Sequence, residues 1–158
     1  MQPIRVGLVG AGFMGKIHSI AYRNAAMLFG HEVPKVDPVV VTDFDPALAE
    51  RAVRDWGWSR LALEWQEVTG ADDVDVVDIA LPNHLHAEAA IAAAQAGKII
   101  LCETPMALTP DDAQAMPHPS RGVAPVVRCT YQRVARGALP PPPPGPGPPG
   151  RTRPRARR

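Results

Sequence analysis

Cysteine and long apolar runs are both scarce in this chain of 158 residues. Its two cysteines, Cys102 and Cys129, cannot form the disulfide framework of a small secreted domain. A membrane-spanning helix needs roughly 18 or more consecutive apolar residues, and no segment approaches that length. The first residues show no signal-peptide pattern. We therefore expect a protein of the reducing cytoplasm with no membrane partner.

Acidic residues are absent from the last part of the chain. Residues 1–116 hold all 16 Asp and Glu and eight Lys or Arg, a net charge of −8. Residues 117–158 contain nine Arg, 12 of the 19 prolines, and no Asp, Glu, Lys, Asn, Ile, Phe or Trp. We therefore expect one folded domain over 1–116, a candidate sixth strand within 122–134, and a Pro/Arg-rich disordered tail over 135–158.

Short apolar runs alternate with segments of helical periodicity before residue 116. The runs that we predict as strands are 4–9, 39–43, 61–63, 74–80 and 98–102. The segments that we predict as helices are 14–26, 45–56 and 86–96. Such alternation predicts the α/β class with a doubly wound parallel sheet of the Rossmann type.

A glycine-rich turn joins the first strand to the first helix. Gly10 permits a tight turn, Gly12 lets the backbone approach a pyrophosphate, and Gly15 allows the helix to pack against the strand. Free N–H groups at the helix start favour an anion there. The alternative is an ordinary glycine-rich turn, but the strand–turn–helix context favours dinucleotide binding. We expect Gly10, Gly12, Phe13, Met14 and Gly15 to bind the cofactor.

Asp43 lies at the end of the second strand, 28 residues after Gly15, which is longer than the usual spacing. A carboxylate there can accept hydrogen bonds from the adenosine ribose and repels a 2′-phosphate. The next residue is Phe44, so no Arg is available for that phosphate. The alternative is that Asp43 only caps the strand end beside Asp45. We predict NAD as the cofactor, with NADP disfavoured.

The loop after the fourth strand contains two histidines. Ligands of such sheets bind beyond the carboxyl ends of the strands, so we expect Leu81 and the residues that follow it to face the cofactor. His84, His86 and Glu88 resemble a metal cluster in spacing alone. A metal site needs three or four convergent ligands, and we expect no metal here.

Three motifs together resemble one family. They are GAGFMGKIH at 10–18, PNHLH at 82–86 and GKIILCETPMAL at 97–108. In this order, they make residues 4–106 resemble the N-terminal domain of the glucose–fructose oxidoreductase, inositol dehydrogenase and rhizopine-catabolism (Gfo/Idh/MocA) oxidoreductases. The resemblance covers roughly 110 to 116 of the 158 residues, and the rest of the family's length is missing.

The resemblance implies a two-domain enzyme that moves a hydride between a nicotinamide cofactor and a sugar, cyclitol or related polyol. The second domain of such enzymes supplies most of the substrate pocket. The resemblance also implies that Pro82, Asn83 and His86 line the cofactor cleft and that Glu103 lies near the nicotinamide. Pro105 matches a cofactor-cleft proline that is often preceded by a cis peptide bond.

One departure from the family concerns its Glu-Lys-Pro signature, whose lysine assists proton transfer at the reacting hydroxyl. The middle residue here is Thr104, and a threonine hydroxyl is no acid or base near neutral pH. We therefore predict no catalytic residue. A second departure follows the helix that begins at Thr109, because Pro117 and Pro119 end it after about two turns.

The tail from residue 117 has three interpretations. It is a proline-rich ligand for aromatic grooves, a basic arm for nucleic acid, or the product of a frame change in a GC-rich gene. The last is favoured because Pro, Arg, Gly and Ala are encoded by GC-rich codons. The acidic folded part disfavours a nucleic-acid partner.

Two functions remain open for the whole chain. It is the cofactor-binding domain of a polyol oxidoreductase that acts on substrate only with a second domain, or a non-catalytic NAD-binding module.

Overall fold

The sheet of the computed structural model has the strand order expected of a Rossmann-type fold. The structure describes residues 2–30 and 33–116 and the backbone of 127–129, so the predicted tail at 135–158 lies outside the described residues. The strands are β1 (Ile4–Val9), β2 (Val36–Thr42), β3 (Arg60–Leu61), β4 (Val76–Ile79), β5 (Ile99–Cys102) and β6 (Val127–Cys129). All neighbours pair in parallel, in the order β3-β2-β1-β4-β5-β6. The order reverses between β1 and β4, and dinucleotides bind at such a reversal. The predicted α/β class is confirmed.

The helices connect these strands. They are α1 (Phe13–Phe29), α2 (Pro46–Arg51), α3 (Trp65–Thr69), α4 (His86–Gln95) and α5 (Pro110–Ala115). A π-helical turn, Ala52–Trp56, continues α2, and a 3₁₀ turn, Asn83–Leu85, precedes α4. Within residues 2–30 and 33–116, no helix has both the length and the apolarity that a membrane span requires.

Side-chain caps explain where α2 and α5 begin. The Asp45 carboxylate accepts a hydrogen bond from the Ala47 N–H, and a proline occupies the first helical position. The Thr109 hydroxyl caps α5 in the same way, by accepting from the Asp112 N–H. Both helix starts agree with the sequence prediction, because cap and proline form a local signal.

The core consists of two clusters on opposite faces of the sheet. Along β1, Val9 belongs to one cluster and Leu8 to the other, as expected because successive strand residues point to opposite faces. The first cluster includes Ala89 and Ala93 of α4. The second includes Trp56 and residues next to α1. The sheet is therefore covered on both faces and holds its carboxyl edge rigidly.

Candidate functional site

Two glycines of the turn between β1 and α1 are required by the fold itself. Gly10 has φ +103°, and a Cβ there would lie 2.6 Å from the Ala80 carbonyl oxygen. A Cβ on Gly15 would lie 2.0 Å from the Gly10 carbonyl oxygen. Both close approaches bring the turn, β4 and α1 together. These two glycines therefore shape the turn whether or not a ligand binds.

Gly12 differs from them because no atom of the described residues requires it to be glycine. Its φ of −69° is accessible to any residue, and an added Cβ would meet none of those atoms within 4 Å. Gly12 is also the N-cap of α1, which has no side-chain cap and no acidic residue in its first turn. The side chain of Phe13 is 77% exposed. The open backbone and the free N–H groups leave room for an anionic ligand.

Asp43 ties the end of β2 to the glycine turn. Its Oδ2 accepts a hydrogen bond from the Ala11 N–H at 2.6 Å, and its Oδ1 accepts from the Asp45 N–H at 2.9 Å. Asp43 therefore makes the structural contacts of the alternative interpretation. Each carboxylate oxygen can still accept a further hydrogen bond, so ribose recognition is compatible with these contacts.

A recess opens beside Asp43 at the carboxyl ends of β1, β2 and β4. Its walls combine apolar and aromatic side chains with two carboxylates. The lining residues are Val9, Thr42, Asp43, Phe44, Leu63, Glu64, Trp65 and Leu81. The structure thus brings Asp43 and Leu81, two of the predicted site residues, to one place.

His86 connects the loops that follow β4 and β5. Its side chain is fully buried, with Nδ1 lying 2.9 Å from the Pro105 carbonyl oxygen and Nε2 lying 2.7 Å from the Leu81 carbonyl oxygen. The Thr104–Pro105 peptide bond is cis, as the resemblance implies. Both ring nitrogens of His86 thus lie within hydrogen-bond distance of backbone carbonyl oxygens. The side chain of His86 therefore links the loop after β4 to the loop after β5.

A separate cleft lies beside the 3₁₀ turn. Its volume is about 330 Å³, and the predicted residue Asn83 lines it rather than the recess at Asp43. The other lining residues are His84, Ala87, Glu88, Ile91, Ala107, Leu108 and Asp112. Across residues 2–30 and 33–116, no three His, Cys, Asp or Glu side chains are grouped so that they could hold a metal ion.

A buried polar network connects α1 to β4 and to the residue after β5. The fully buried Asp78 of β4 accepts a hydrogen bond from the Tyr22 hydroxyl at 2.6 Å. Its Oδ2 also lies 2.8 Å from His18 Nδ1. The other ring nitrogen, Nε2, lies 2.9 Å from Glu103 Oε1. Oε2 of Glu103 accepts a hydrogen bond from the Thr104 N–H at 3.2 Å. The network therefore ends in the loop after β5, which contains the predicted cofactor-binding residues Glu103 and Pro105.

The network shifts the pKa values of two of its members. The hydrogen bond to Asp78 raises the pKa of His18 against the effect of burial, and the charge of Glu103 adds to the rise. Burial, reinforced by Asp78, raises the pKa of Tyr22 far above its usual range. Tyr22 therefore stays protonated and donates, and His18 favours the charged form.

Sequence reasoning missed this network. His18 lies in the first family motif, and Asp78 lies inside an apolar strand. A carboxylate in a strand that is buried on both faces requires a partner, so Asp78 was the available signal. No local pattern shows that α1 supplies the partner, because the two residues are 60 positions apart.

The fold, the glycine turn and the Asp43 contact define a dinucleotide-binding domain of the Rossmann class. Residues 4–122 match the family model described as "Oxidoreductase family, NAD-binding Rossmann fold". The chain belongs to this family, the Gfo/Idh/MocA oxidoreductases, as the sequence motifs predicted.

Curated relatives of the chain are sugar and cyclitol dehydrogenases. The levoglucosan dehydrogenase of Pseudarthrobacter phenanthrenivorans is 42% identical over 141 residues, which are 88% of this chain and 36% of that protein. An inositol 2-dehydrogenase of Saccharopolyspora erythraea is 35% identical over 115 residues, 73% of this chain and 31% of that protein. The chain thus spans about a third of the length of these relatives.

Solved structures resemble the chain in the same region. Levoglucosan dehydrogenase in complex with NADH has a TM-score of 0.70 at 46% identity, covering 73% of this chain and 31% of that one. An NAD-binding oxidoreductase from Klebsiella pneumoniae has a TM-score of 0.75 at 38% identity, covering 80% of this chain and 34% of that one.

Proposed function

We propose that this chain is the NAD-binding domain of an oxidoreductase that acts on CH–OH groups of sugars, cyclitols or related polyols. The observation that carries the proposal is Gly12, whose backbone is open at the start of α1 and whose lack of a side chain serves no contact within the molecule. A similar protein has been solved with NADH, which supports the same cofactor here. When bound, NAD supplies the acceptor or donor of a hydride. The scarcity of cysteine favours a reducing cytoplasm as its location.

The proposed site divides between two halves of the cofactor. The N–H groups at the start of α1, next to Gly12, Phe13 and Met14, hold the pyrophosphate. Asp43 and the recess beside it hold the adenosine, and the negative charge of Asp43 disfavours the 2′-phosphate of NADP. The nicotinamide half lies towards the loops after β4 and β5. Residues proposed to line that half are Pro82, Asn83, His86, Glu103 and Pro105, whereas Leu81 lines the recess beside Asp43.

The residues of this chain offer less for acting on a substrate than for binding the cofactor. Thr104 offers a hydroxyl but neither a positive charge nor a titratable group near neutral pH. A positioned acid or base typically contributes about 10² to 10⁴ in rate. A second candidate function, a non-catalytic NAD-binding module, is favoured by this one residue. We propose that a sugar or polyol is turned over only when a second domain completes the pocket.

Calorimetric titration of the chain with NADH and with NADPH tests the proposal. We expect saturable binding of NADH and weaker binding of NADPH. Equal or tighter binding of NADPH would contradict the assignment of Asp43, and the absence of binding by either cofactor would contradict the proposed function. Both candidate functions predict no sugar turnover by this chain alone, so turnover in the same protein would contradict the requirement for a second domain.

A further inference from the structure

The bridging position of His18 is not explained by cofactor contact. Its side chain is only 10% exposed, and its two ring nitrogens face two different carboxylates. Nδ1 lies 2.8 Å from Asp78 Oδ2, and Nε2 lies 2.9 Å from Glu103 Oε1. A neutral imidazole has one N–H and would direct a lone pair at the other carboxylate. Only the imidazolium donates to both.

The two carboxylates belong to different parts of the molecule. Asp78 lies inside β4 and is held by a second donor, the Tyr22 hydroxyl. Glu103 follows β5 directly, and its second carboxylate oxygen accepts the N–H of Thr104. His18 therefore connects the fixed interior of the sheet to the beginning of the loop at 103–105. Its own helix, α1, starts at the glycine turn.

We propose that His18 is a positioning residue that, as an imidazolium, fixes the loop at 103–105 relative to the glycine turn and so sets the distance between the two halves of the cofactor site. This inference rests on the proposed function, because it assigns the two loops to one cofactor. The pKa of His18 is raised, chiefly by its hydrogen bond to Asp78, which is the direction that favours the imidazolium.

The pH dependence follows from the groups that face His18. They are Asp78 from β4, Glu103 from the end of β5, and Tyr22 from α1 itself. Tyr22 stays protonated because burial raises its pKa. As the pH rises through the raised pKa of His18, the ring loses one N–H and the link to one carboxylate. We therefore expect NADH affinity to fall over that pH range.

Two variants of the full chain separate positioning from general stability. His18→Gln keeps a polar side chain but cannot carry the charge. Lys35→Gln is the control, because Lys35 is exposed and directly precedes β2, at the edge of the sheet opposite to the proposed site.

Two measurements on these proteins test the inference. Nitrogen NMR of the histidine rings in the wild type should show both His18 nitrogens protonated at neutral pH. Titration with NADH from pH 6 to pH 9 should show affinity falling with pH in the wild type. In His18→Gln the affinity should be about tenfold weaker and should not vary over that range, whereas Lys35→Gln should follow the wild type.

Several results would overturn the inference. A neutral His18 ring at pH 7 would do so even if His18→Gln failed to fold, because the bridge requires two N–H groups. A His18→Gln protein with wild-type affinity and the wild-type pH profile would also do so. If the wild type bound no NADH, the proposed function would fail. The loop fixation would then be judged in the free protein, where His18→Gln should shift the Thr104 amide signal and Lys35→Gln should not. An unshifted Thr104 signal would refute it.

Discussion

The residues of the glycine turn and Asp43 at the end of β2 differ in their roles: some are required by the fold, some are proposed to bind the cofactor, and Asp43 does both. Gly10 and Gly15 are needed by the turn, whereas an added Cβ at Gly12 would meet no atom of the described residues within 4 Å. Asp43 combines both roles, because it accepts a hydrogen bond from the Ala11 N–H and faces the recess proposed for the adenosine. A test of Asp43 must therefore remove its charge without removing the hydrogen bond.

Asp43→Asn meets that requirement, since the amide oxygen can still accept from the Ala11 N–H. We expect the preference for NADH over NADPH to narrow by about tenfold, because one opposing charge near the 2′-position is lost. Asp45→Asn is the matched control, because an asparagine also caps α2. Calorimetric titration with both cofactors measures the preference. An unchanged preference in Asp43→Asn would mean that this carboxylate does not select the cofactor.

Residue-level prediction from sequence succeeded where chemistry is local. The glycine spacing and the position of Asp43 at a strand end follow from short patterns. The roles of His18 and Asp78 depend on a contact between residues 60 positions apart, which no short pattern contains. His86 was predicted to line the cleft, and that role stays a prediction. Its engagement by two carbonyl groups could not be read from a helix-start position.

At the scale of elements, His86 joins the loops after β4 and β5. Replacement by leucine removes the ring N–H that one of the carbonyl oxygens of Leu81 and Pro105 accepts from. A buried polar group that loses its partner costs about 1 to 3 kcal/mol. We expect His86→Leu to lower the free energy of unfolding by that amount in urea denaturation, while His84→Leu, at an exposed site, changes it little. A His86→Leu protein of wild-type stability would contradict this role of the ring.

The opposite edge of the sheet contains an ion pair that gives a pH-dependent contribution. Arg5 bonds Asp75 through its backbone N–H and its guanidinium, which lowers the pKa of Asp75 from 3.8 to about 2. The pair therefore stabilises the fold fully above pH 4 and loses this effect as the pH falls towards 2. Because both side chains are more than a third exposed, we expect the contribution of this pair to the unfolding free energy to be small.

Urea unfolding of the wild type and Asp75→Asn at pH 6 and near pH 2 checks this prediction. The difference in unfolding free energy between the two proteins should be present at pH 6 and should vanish near pH 2. A constant difference across this range would show that hydrogen bonding rather than the charge of Asp75 stabilises this edge.

The elements predicted from sequence were those with strong local signals. The caps at Asp45 and Thr109 gave the correct helix starts. The short helix α3 was missed, because its capping box pairs Glu64 with Glu67 and glutamate is not a usual N-cap. β2 begins at Val36, before residue 39, where we predicted its start. The strand continues through Pro38 because this proline lies at an irregularity in the pairing with β1, where a strand tolerates proline.

At the scale of the whole molecule, the chain corresponds to about a third of each dehydrogenase to which it is similar. Hydride transfer requires a substrate held against the nicotinamide, and such positioning contributes about 7 to 11 kcal/mol. We therefore expect no measurable oxidation of levoglucosan, inositols or sugars by the 158-residue chain and NAD. NADH absorbance measures the rate.

The levoglucosan dehydrogenase of P. phenanthrenivorans is the positive control for that assay. Thr104→Lys should not restore turnover by itself, because it supplies the charge but not the substrate pocket. Robust oxidation of any of these substrates by the wild-type chain would contradict the requirement for a second domain. It would also make Thr104 compatible with catalysis.

The central claim is that the start of α1 binds the pyrophosphate of NAD, and calorimetric titration of Gly12→Val with NADH tests it most directly. Because an added Cβ at Gly12 would meet no atom of the described residues within 4 Å, the variant should lose only a modest part of its stability in urea, about 1 kcal/mol from the poorer N-cap. Gly15→Ala, whose Cβ would lie 2.0 Å from a backbone oxygen, should instead be destabilised. We predict that Gly12→Val keeps its fold and loses detectable NADH binding. A folded Gly12→Val protein that binds NADH as tightly as the wild type would contradict the claim.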